Sequence, residues 1–310
     1  MRIIFFGTPD FALPSLKALV NSGEDVATVV TQPDRGKGRG HILSQPPVKE
    51  FAASCGIPVL QPSGLRSAEF FDNISVLAPD MVVVVAYGKI LPAAILGLPP
   101  EGCINLHASI LPKYRGAAPI QWAIVRGERT TGVTTMLMDE GLDTGDTFLM
   151  ETTEILPEDT AATLSARLSV MGSRLLLETI DRVKKGTVSP VPQKGEPSYA
   201  PVLRKDDGKI DWTRSALDIF NLARGMFPWP GAFAFICREK VILIKTKVMG
   251  DKATGAPGVI EKISRNELLV ATGRGMLSII EMKPEGRPSM SAAAFARGRH
   301  LKEGMGFELQ

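Results

Sequence analysis

The chain has few of the residues that build metal centres and disulfide scaffolds. Among its 310 residues are only three cysteines and three histidines. Cys55, Cys103 and Cys237 are far apart in sequence and show no C-x-x-C spacing, a pattern typical of free thiols in a reducing compartment. The histidines are scattered in the same way, so we expect neither a structural zinc site nor any other bound metal.

Long apolar runs are missing as well. The longest covers residues 81–86, whereas a membrane-spanning helix needs about 18 apolar residues. Residues 3–6 are apolar, but Pro9 and Asp10 follow at once, so this stretch predicts a first strand rather than a secretion signal. With 44% hydrophobic and 22% charged residues, the composition is that of an ordinary globular protein. We therefore expect a cytoplasmic protein that does not bind membranes.

A large excess of either charge is also lacking, since the net charge is +3. The positive charge is nevertheless unevenly placed. Residues 206–310 hold 16 Lys and Arg against 12 Asp and Glu, an excess of four that leaves −1 for residues 1–205. A mildly basic second part favours a polyanionic partner, although such an excess is common by chance.

The first residues alternate between strand and helix patterns. Residues 2–6 and 26–31 have strand character, and apolar residues at helical spacing over 12–21 connect them. Such a unit implies a parallel sheet, and the apolar run at 81–86 predicts a central strand buried on both faces. The turn after the first strand has neither G-x-G-x-x-G nor the P-loop pattern, which argues against a dehydrogenase or a P-loop enzyme.

The second part of the chain has a different pattern. Four prolines within residues 188–201 predict an extended linker. Short strand-like runs over 232–282 are separated by turn signals and predict a small barrel. The sequence therefore predicts an α/β protein. It has a Rossmann-like domain with a mainly parallel sheet over residues 1–187, a linker over 188–205 and a smaller, OB-like β-barrel over 206–310.

The motif around which the rest is organised is residues 102–122. Its apolar start predicts a buried strand, in which Asn105 and His107 project to the same face while Leu106 points the other way. An amide and an imidazole therefore meet where the strand ends, and open α/β sheets keep their sites at such carboxyl ends. The alternative is structural: Asn105 caps the following turn and His107 is a hydrogen-bonded structural histidine.

A glycine-rich basic stretch covers residues 34–41. It alternates glycine with basic residues and has no apolar side chain to bury, so we expect a mobile loop. Such a loop either stays at the surface or becomes ordered on a phosphate backbone, with Arg35, Lys37 and Arg39 as donors.

Two further turns carry polar groups. The turn at 87–92 offers main-chain groups to a planar polar ring, and Gly88 would permit a close approach. Residues 139–146 hold four carboxylates, which could bind a metal ion. Their spacing is not that of an EF-hand, and a solvated acidic turn is the commoner structure.

Several short motifs together indicate a family. They are Phe6-Gly7-Thr8-Pro9-Asp10-Phe11-Ala12, Asn105-x-His107-x-Ser109-Ile110-Leu111-Pro112, Arg115-Gly116-Ala117-Ala118-Pro119-Ile120-Gln121, Asp139-x-Gly141-x-Asp143-x-Gly145, Tyr199-Ala200-Pro201, Asp211-Trp212 and Pro228-Trp229-Pro230-Gly231-Ala232. By these motifs the chain resembles the methionyl-tRNA formyltransferases over essentially its whole length. The Asn-x-His pattern with a downstream Asp belongs to all folate-dependent formyltransferases of this fold, and the other motifs narrow the resemblance.

The resemblance implies a reaction and its residues. The formyl group of 10-formyltetrahydrofolate moves to the free α-amine of methionine on the initiator tRNA. Asn105 and His107 hold the formyl oxygen and stabilise the oxyanion, while Asp143 sets the charge of His107 and handles protons. Such donors suit a tetrahedral oxyanion, each being worth about 10²–10³ in rate. The implied folate contacts are Ser109, Ile110, Leu111, Pro112, Tyr87, Gly88, Ile90, Leu91, Asp139 and Gly141, and the implied tRNA contacts are Arg35, Lys37, Arg39 and His41.

The sequence leaves two other functions open. An enzyme that formylates a small amine, such as an amino sugar nucleotide, would share the site, but the basic loop and the Trp-Pro-Gly turn favour tRNA. A non-enzymatic RNA-binding protein on the same scaffold would leave Asn105, His107 and Asp143 without a chemical role. We expect the protein to be a monomer.

Overall fold

The fold is described over residues 1–37, 42–250 and 255–309 of a computed structural model. In these ranges the strands are β1 (Arg2–Gly7), β2 (Asp25–Val30), β3 (Arg35–Lys37), β4 (Ile42–Ser44), β5 (Val59–Leu60), β6 (Met81–Val85), β7 (Cys103–His107), β8 (Thr130–Leu137), β9 (Thr147–Glu154), β10 (Ala232–Ile236), β11 (Glu239–Val248), β12 (Ile260–Ile263), β13 (Leu268–Ala271), β14 (Met276–Pro284) and β15 (Met290–Ser291). The helices are α1 (Leu13–Asn21), α2 (Pro47–Ser54), α3 (Ala68–Ser75), α4 (Ala93–Leu96), α5 (Pro119–Val125), α6 (Ala161–Lys184), α7 (Ala216–Gly225) and α8 (Ala292–Gly298). No helix within these ranges has the length and apolar character needed to cross a bilayer.

Contacts divide the chain into two compact units. The first comprises Met1–Pro119, Thr130–Glu154 and Ser165–Pro201, and the second comprises Ile120–Arg129, Ile155–Leu164 and Val202–Gln310. Strands β1 to β9 lie in the first unit and strands β10 to β15 in the second. Each unit has its own hydrophobic core.

The sheet of the first unit is mainly parallel, as the sequence predicts. Its strand order is β5-β2-β1-β6-β7-β8-β9, with only β8 and β9 added antiparallel to their neighbours. The chain first builds outward from β1 through β2 to β5, and then returns to add β6 and β7 on the other side of β1. Strand order therefore reverses between β1 and β6, and such a switch point is where open α/β sheets bind ligands.

Strand β6 occupies the middle of this sheet because its sequence is apolar and β-branched. It pairs with β1 on one side and β7 on the other. All five of its residues are buried, with exposures of 5% or less, which confirms the prediction of a fully buried central strand.

Strand β7 lies directly against helix α6. The contact joins Leu106 to Gly172, since a Cβ atom added at Gly172 would lie only 2.7 Å from Leu106 Cδ2. Glycine is therefore what permits the strand and the helix to approach this closely. Because Leu106 faces the helix, Asn105 and His107 face the opposite side of the sheet.

Residues 35–37 of the basic stretch after β2 form a strand that pairs with β4. Arg35 pairs with Ser44 and Lys37 with Ile42 in an antiparallel ladder between β3 and β4. The expectation of a loop over residues 34–41 is therefore wrong for its first part. The ladder uses main-chain hydrogen bonds, which form without apolar side chains to bury.

The proline-rich segment before residue 202 runs along the first unit in extended form. Thr147 and Val191 exchange main-chain hydrogen bonds of 2.8 and 2.9 Å. Further along, Arg115 N donates to Ser198 O at 2.8 Å, and Ala200 N donates to Arg115 O at 2.7 Å. The segment is thus bonded to the loop that follows β7 and to the start of β9.

The sheet of the second unit is antiparallel throughout, which confirms a second, antiparallel sheet in the C-terminal part. Its order is β10-β11-β14-β13-β12, with β15 paired to β14. Trp212 is buried in its core, where its ring lies 4.7 Å from the ring of Phe307. Alternating apolar residues of β11 and β14, such as Leu243 and Leu277, complete this core.

Candidate active site

Two polar side chains are buried at the carboxyl end of β7. Asn105 is 9% exposed and His107 is 5% exposed. Both lie in the strand ladder, where Asn105 is opposite Met136 and His107 is opposite Thr134 of β8. A buried amide and a buried imidazole need hydrogen-bond partners, so their surroundings define what this position can do.

Asp143 supplies the carboxylate that joins these two groups. Its Oδ1 lies 3.5 Å from Asn105 Nδ2, and its Oδ2 lies 3.6 Å from His107 Nδ1. Oδ2 also accepts a hydrogen bond of 2.7 Å from Gly116 N. Asp143 adopts a left-handed backbone conformation with φ of 53°. The structure thus brings the amide, the imidazole and the carboxylate of the sequence motif into one cluster.

A hydrogen bond to the main chain shows that one ring nitrogen of His107, Nε2, carries a hydrogen. Nε2 lies 2.9 Å from Tyr114 O. A carbonyl oxygen only accepts, so Nε2 carries a hydrogen and donates it. Nδ1 therefore faces the Asp143 carboxylate, and a proton placed on Nδ1 has an acceptor there.

The turn after β7 is built from internal hydrogen bonds. Ser109 Oγ donates to Lys113 O at 2.5 Å, and Thr134 Oγ1 donates to Ser109 O at 2.7 Å. Leu111 N donates to Thr134 Oγ1 at 3.3 Å, and the Leu111–Pro112 peptide is cis. Three of the predicted folate contacts here are buried and one is half-buried, namely Ser109, Leu111, Pro112 and Ile110. These side chains therefore shape the turn more than they present groups outward.

The turn after β6 presents main chain and one apolar side chain. Tyr87 is buried with its ring edge-on to Phe6 at 5.2 Å, and burial raises the pKa of its hydroxyl to about 12. Leu91 is buried as well, whereas Ile90 is 72% exposed. Gly88 has φ of 80°, with open space where a Cβ would lie. Of the four predicted folate contacts in this turn, Ile90 and the Gly88 backbone are the accessible ones.

The acidic loop after β8 is organised by its own hydrogen bonds. Asp139 Oδ1 accepts from Gly141 N at 3.0 Å, and both Asp139 oxygens accept from Thr144 Oγ1 at 2.7 and 2.8 Å. Leu142 is 51% exposed. Over the described part of the chain, no group of three or more His, Cys, Asp or Glu is arranged to hold a metal ion.

A cavity of about 500 Å³ opens at the carboxyl ends of β1, β2 and β6. Its lining comprises Thr8, Pro9, Gln32, Pro33, Gly36, Ser44, Gln45, Pro46, Pro47, Ala86, Tyr87, Gly88 and Lys89. Two of these, Tyr87 and Gly88, are among the predicted folate contacts. The other lining residues were not predicted to contact folate, because they come from separate loops that only the strand order brings together.

The structure describes two of the four residues predicted to contact tRNA. Arg35 and Lys37 belong to β3, whereas Arg39 and His41 lie outside the described residues. Lys49 Nζ bonds both oxygens of Asp34, the residue before β3, at 2.7 and 2.9 Å. Chiefly through this hydrogen bond, Lys49 lowers the pKa of the Asp34 carboxyl.

Sequence reasoning did not single out one residue that bonds to this cluster, Gln193. Its side chain bonds to the main chain of Asp143 and to Arg115. Arg115 and Gly116 are part of a quoted motif, but Gln193 lies in the proline-rich segment. Nothing in that segment predicts a contact 50 residues away in sequence.

Comparison with known proteins agrees with this architecture. The family model described as "Formyl transferase" matches residues 1–180, and the one described as "Formyl transferase, C-terminal domain" matches residues 202–300. Relatives include proteins named methionyl-tRNA formyltransferase from two bacteria. The protein of Thermodesulfovibrio yellowstonii is 55% identical over 303 residues, or 98% of this chain and 97% of that one. The protein of Pelotomaculum thermopropionicum is 49% identical over 306 residues, covering 98% of both chains.

Solved structures share the fold at low sequence identity. A methionyl-tRNA formyltransferase from Clostridium thermocellum superposes with a TM-score of 0.57 and 16% identity, over 80% of this chain and 94% of that one. WlaRD, a sugar 3N-formyl transferase, gives a TM-score of 0.68 and 19% identity over 93% and 99%. The two family models together cover most of the chain and identify it as a formyl transferase. The chain belongs to the methionyl-tRNA formyltransferase family.

Proposed function

We propose that this protein transfers the formyl group of 10-formyltetrahydrofolate to the α-amino group of methionine carried by the initiator tRNA, for translation initiation. The observation that carries the proposal is the meeting of Asn105, His107 and Asp143 at the end of β7. It occurs in a chain 55% identical to a protein named methionyl-tRNA formyltransferase.

The cluster suits the oxyanion that forms when an amine attacks a formyl carbon. Asn105 Nδ2 carries two hydrogens, of which one is directed at Asp143 and the other is available to the formyl oxygen. A protonated Nδ1 of His107, beside the same carboxylate, adds positive charge next to that oxygen. Fixed donors in a site shielded from water stabilise developing charge better than water does.

Asp143 is the group we assign to proton transfer, either directly or through a water molecule. The amine loses a proton as its nitrogen bonds to the formyl carbon, and the folate nitrogen gains one as its bond to that carbon breaks. Asp143 Oδ2 faces His107 Nδ1 at 3.6 Å, so a proton on the carboxylate or the imidazole can be shared between the two groups. The catalytic part of the protein would then be residues 1–187.

We assign the folate to the loops that follow β6, β7 and β8. A folate ring is flat and has polar edges, so it needs apolar contact on its faces and hydrogen bonds at its rim. Ile90 and Leu142 are the exposed apolar side chains of the two loops assigned to it, and the main chain at Gly88 is open. The residues 109–112, with Tyr87 and Leu91, would support these loops, and Asp139 with Gly141 would fix the acidic one. When bound, the folate supplies the formyl group.

The tRNA contacts we propose are electrostatic. Arg35, Lys37, Arg39 and His41 would contact phosphates of the acceptor end, and residues 206–310, joined by a linker over 188–205, would lie along the backbone. Recognition by shape and phosphate is expected for double-stranded RNA. We further propose that the protein acts as a monomer in the cytoplasm.

A transfer assay with two classes of acceptor tests the function. The enzyme is given 10-formyltetrahydrofolate with charged initiator methionyl-tRNA and, separately, with an amino sugar nucleotide. We expect rapid formylation of the tRNA and none of the sugar. Preferential formylation of the sugar would replace the proposed acceptor. Tight tRNA binding without any formyl transfer would favour the alternative, a non-enzymatic RNA-binding protein.

A further inference from the structure

The side chain of Gln193 bridges two loops of the candidate active site. Its Nε2 donates to Asp143 O at 2.9 Å and to Gly145 O at 2.8 Å. Its Oε1 accepts from Arg115 Nη2 at 2.7 Å and from Arg115 Nε at 3.2 Å. Every polar atom of this amide is therefore used, although the residue lies in a segment without helix or strand.

The amide group of glutamine meets both halves of this arrangement, because it has an acceptor and a donor end. A guanidinium has donors and no acceptor, so the oxygen of the Gln193 amide must face Arg115. The nitrogen then faces the two carbonyl oxygens, which only accept. A glutamate at this position would satisfy Arg115 but would direct a second oxygen at the carbonyls of Asp143 and Gly145.

Asp143 is a residue whose backbone needs such support. Its φ of 53° lies in the left-handed region, which costs a residue with a Cβ free energy, so contacts that hold the backbone there help to maintain it. Gln193 holds its carbonyl, and Gly116 N holds its carboxylate at 2.7 Å. The neighbouring residue Arg115 holds Gln193 in turn. The loop at Arg115 and Gly116 thus fixes Asp143 in two ways. Gly116 holds the side chain directly, and Arg115 holds the main chain through Gln193.

We infer that Gln193 is a positioning residue for the formyl transfer. By fixing the Asp143 backbone it keeps the carboxylate within 3.6 Å of both Asn105 and His107, and Arg115 acts through it. Gln193 is not among the residues that we assign to catalysis. Its bond to Asp143 is made to the main-chain carbonyl of that residue. The inference rests on the proposed function for its kinetic readout only.

Kinetics of Gln193→Glu test the inference. We expect kcat for methionyl-tRNA formylation to fall about 10- to 100-fold, because a displacement of about 1 Å in a catalytic group costs up to about 100-fold. The KM values for folate and tRNA should stay within about threefold, since no substrate contact is removed. Glu196→Gln, an exposed change three residues away, should behave as the unchanged protein. Wild-type kcat in Gln193→Glu, or an effect on KM alone, would overturn the inference.

A double variant separates positioning from general support of the segment. If Arg115 acts through Gln193, Arg115→Ala combined with Gln193→Glu should lower kcat no more than the worse single change. If Arg115 and Gln193 instead stabilise the proline-rich segment independently, the fold losses in kcat of the two single variants should multiply. The melting temperature of each variant is measured alongside. Gln193→Ala replaces Gln193→Glu if the latter does not fold.

A spectroscopic measurement keeps the inference testable without activity. The protein has three histidines, so nitrogen NMR resolves the His107 ring. We expect the Nδ1 resonance of His107 to move in Gln193→Glu and to stay unchanged in Glu196→Gln. An unmoved resonance would overturn the inference. If the wild-type protein forms no formyl-methionyl-tRNA, the proposed function is overturned instead. The His107 resonance would still test the role of Gln193 in that case.

Discussion

The two sheets of the molecule bury polar side chains for different purposes. In the antiparallel sheet, the hydroxyl of Ser278 donates to Glu267, 11 residues away, and Thr272 Oγ1 donates to Gly275 O at 2.7 Å, three residues away. These bonds close local turns. In the mainly parallel sheet, Asn105 meets Asp143, 38 residues away.

The difference follows from how the strands are connected. Successive antiparallel strands are joined by short turns, so a polar group finds its partner nearby. Parallel strands bring the loops at their carboxyl ends together from distant parts of the chain. The loops at that edge therefore allow a buried polar group to meet a distant partner, as Asn105 meets Asp143.

Replacement of one asparagine in each sheet region should sharpen this contrast. Asn105→Ala removes a donor to the oxyanion, and we expect kcat to fall about 10²–10³-fold. Because Asn105 is held by a single 3.5 Å bond to Asp143, the melting temperature should change little. Steady-state kinetics and thermal unfolding measure the two quantities. Activity near the wild-type level would show that Asn105 has no chemical role.

Asn221 provides the matched change in the second unit. It is 4% exposed, and its Oδ1 accepts from Arg224 Nε at 2.9 Å. Burial lowers the pKa of Arg224, so this guanidinium depends on its acceptors. Asn221→Ala should lower the free energy of unfolding by about 1–3 kcal/mol and leave kcat unchanged. Denaturant titration gives the first value, and a fall in kcat at a temperature where the protein is folded would contradict the contrast.

Salt should affect the two substrates unequally. Affinity for tRNA should fall steeply between low and moderate salt, whereas the KM for folate should barely move. Lys37→Ala should lower the slope of log affinity against log salt by about 0.7–0.9, the contribution of one phosphate contact. Lys185→Ala, outside β3 and β4, serves as the control. An unchanged slope in Lys37→Ala would remove this residue from the tRNA contacts.

The smallest effect concerns pH and the ion pair of the second unit. Arg299 bonds Glu239 through two hydrogen bonds of 2.7 and 3.0 Å, and these lower the pKa of the Glu239 carboxyl. A carboxylate with a lowered folded-state pKa stabilises the protein above its unfolded pKa and loses that contribution as pH falls through the folded value. Stability should therefore decline on acidification below about pH 4.3, and less so in Glu239→Gln. Denaturant titrations across pH measure both proteins.

Much of the fold and part of the site could be predicted from local pattern. The run at 81–86 indicates a buried strand, and the spacing of Asn105 and His107 places them on one face, because burial and strand periodicity are properties of neighbouring residues. The prediction of Asp143 as a site residue depended on the family resemblance. The left-handed φ that brings it into place cannot be read from its residue type.

What sequence reasoning missed depends on distant contacts or on main chain alone. The β3–β4 ladder forms from backbone groups of residues with little strand character. The bond from Gln193 to Arg115 spans 78 residues, which no local pattern encodes. Tyr87 and Leu91 stay predicted folate contacts, and the burial of their side chains in the core is what no local pattern indicated.

The close approach at Gly172 has a consequence for how this protein tolerates change. Leu106 sits between Asn105 and His107 in the strand, so pressure on its side chain is passed to both neighbours. A methyl group added at position 172 of helix α6 would lie too close to Leu106. The displaced strand would then shift the side chains of Asn105 and His107. A substitution at position 172 would therefore act on the far face of the sheet through Leu106, from a position on the helix side of strand β7.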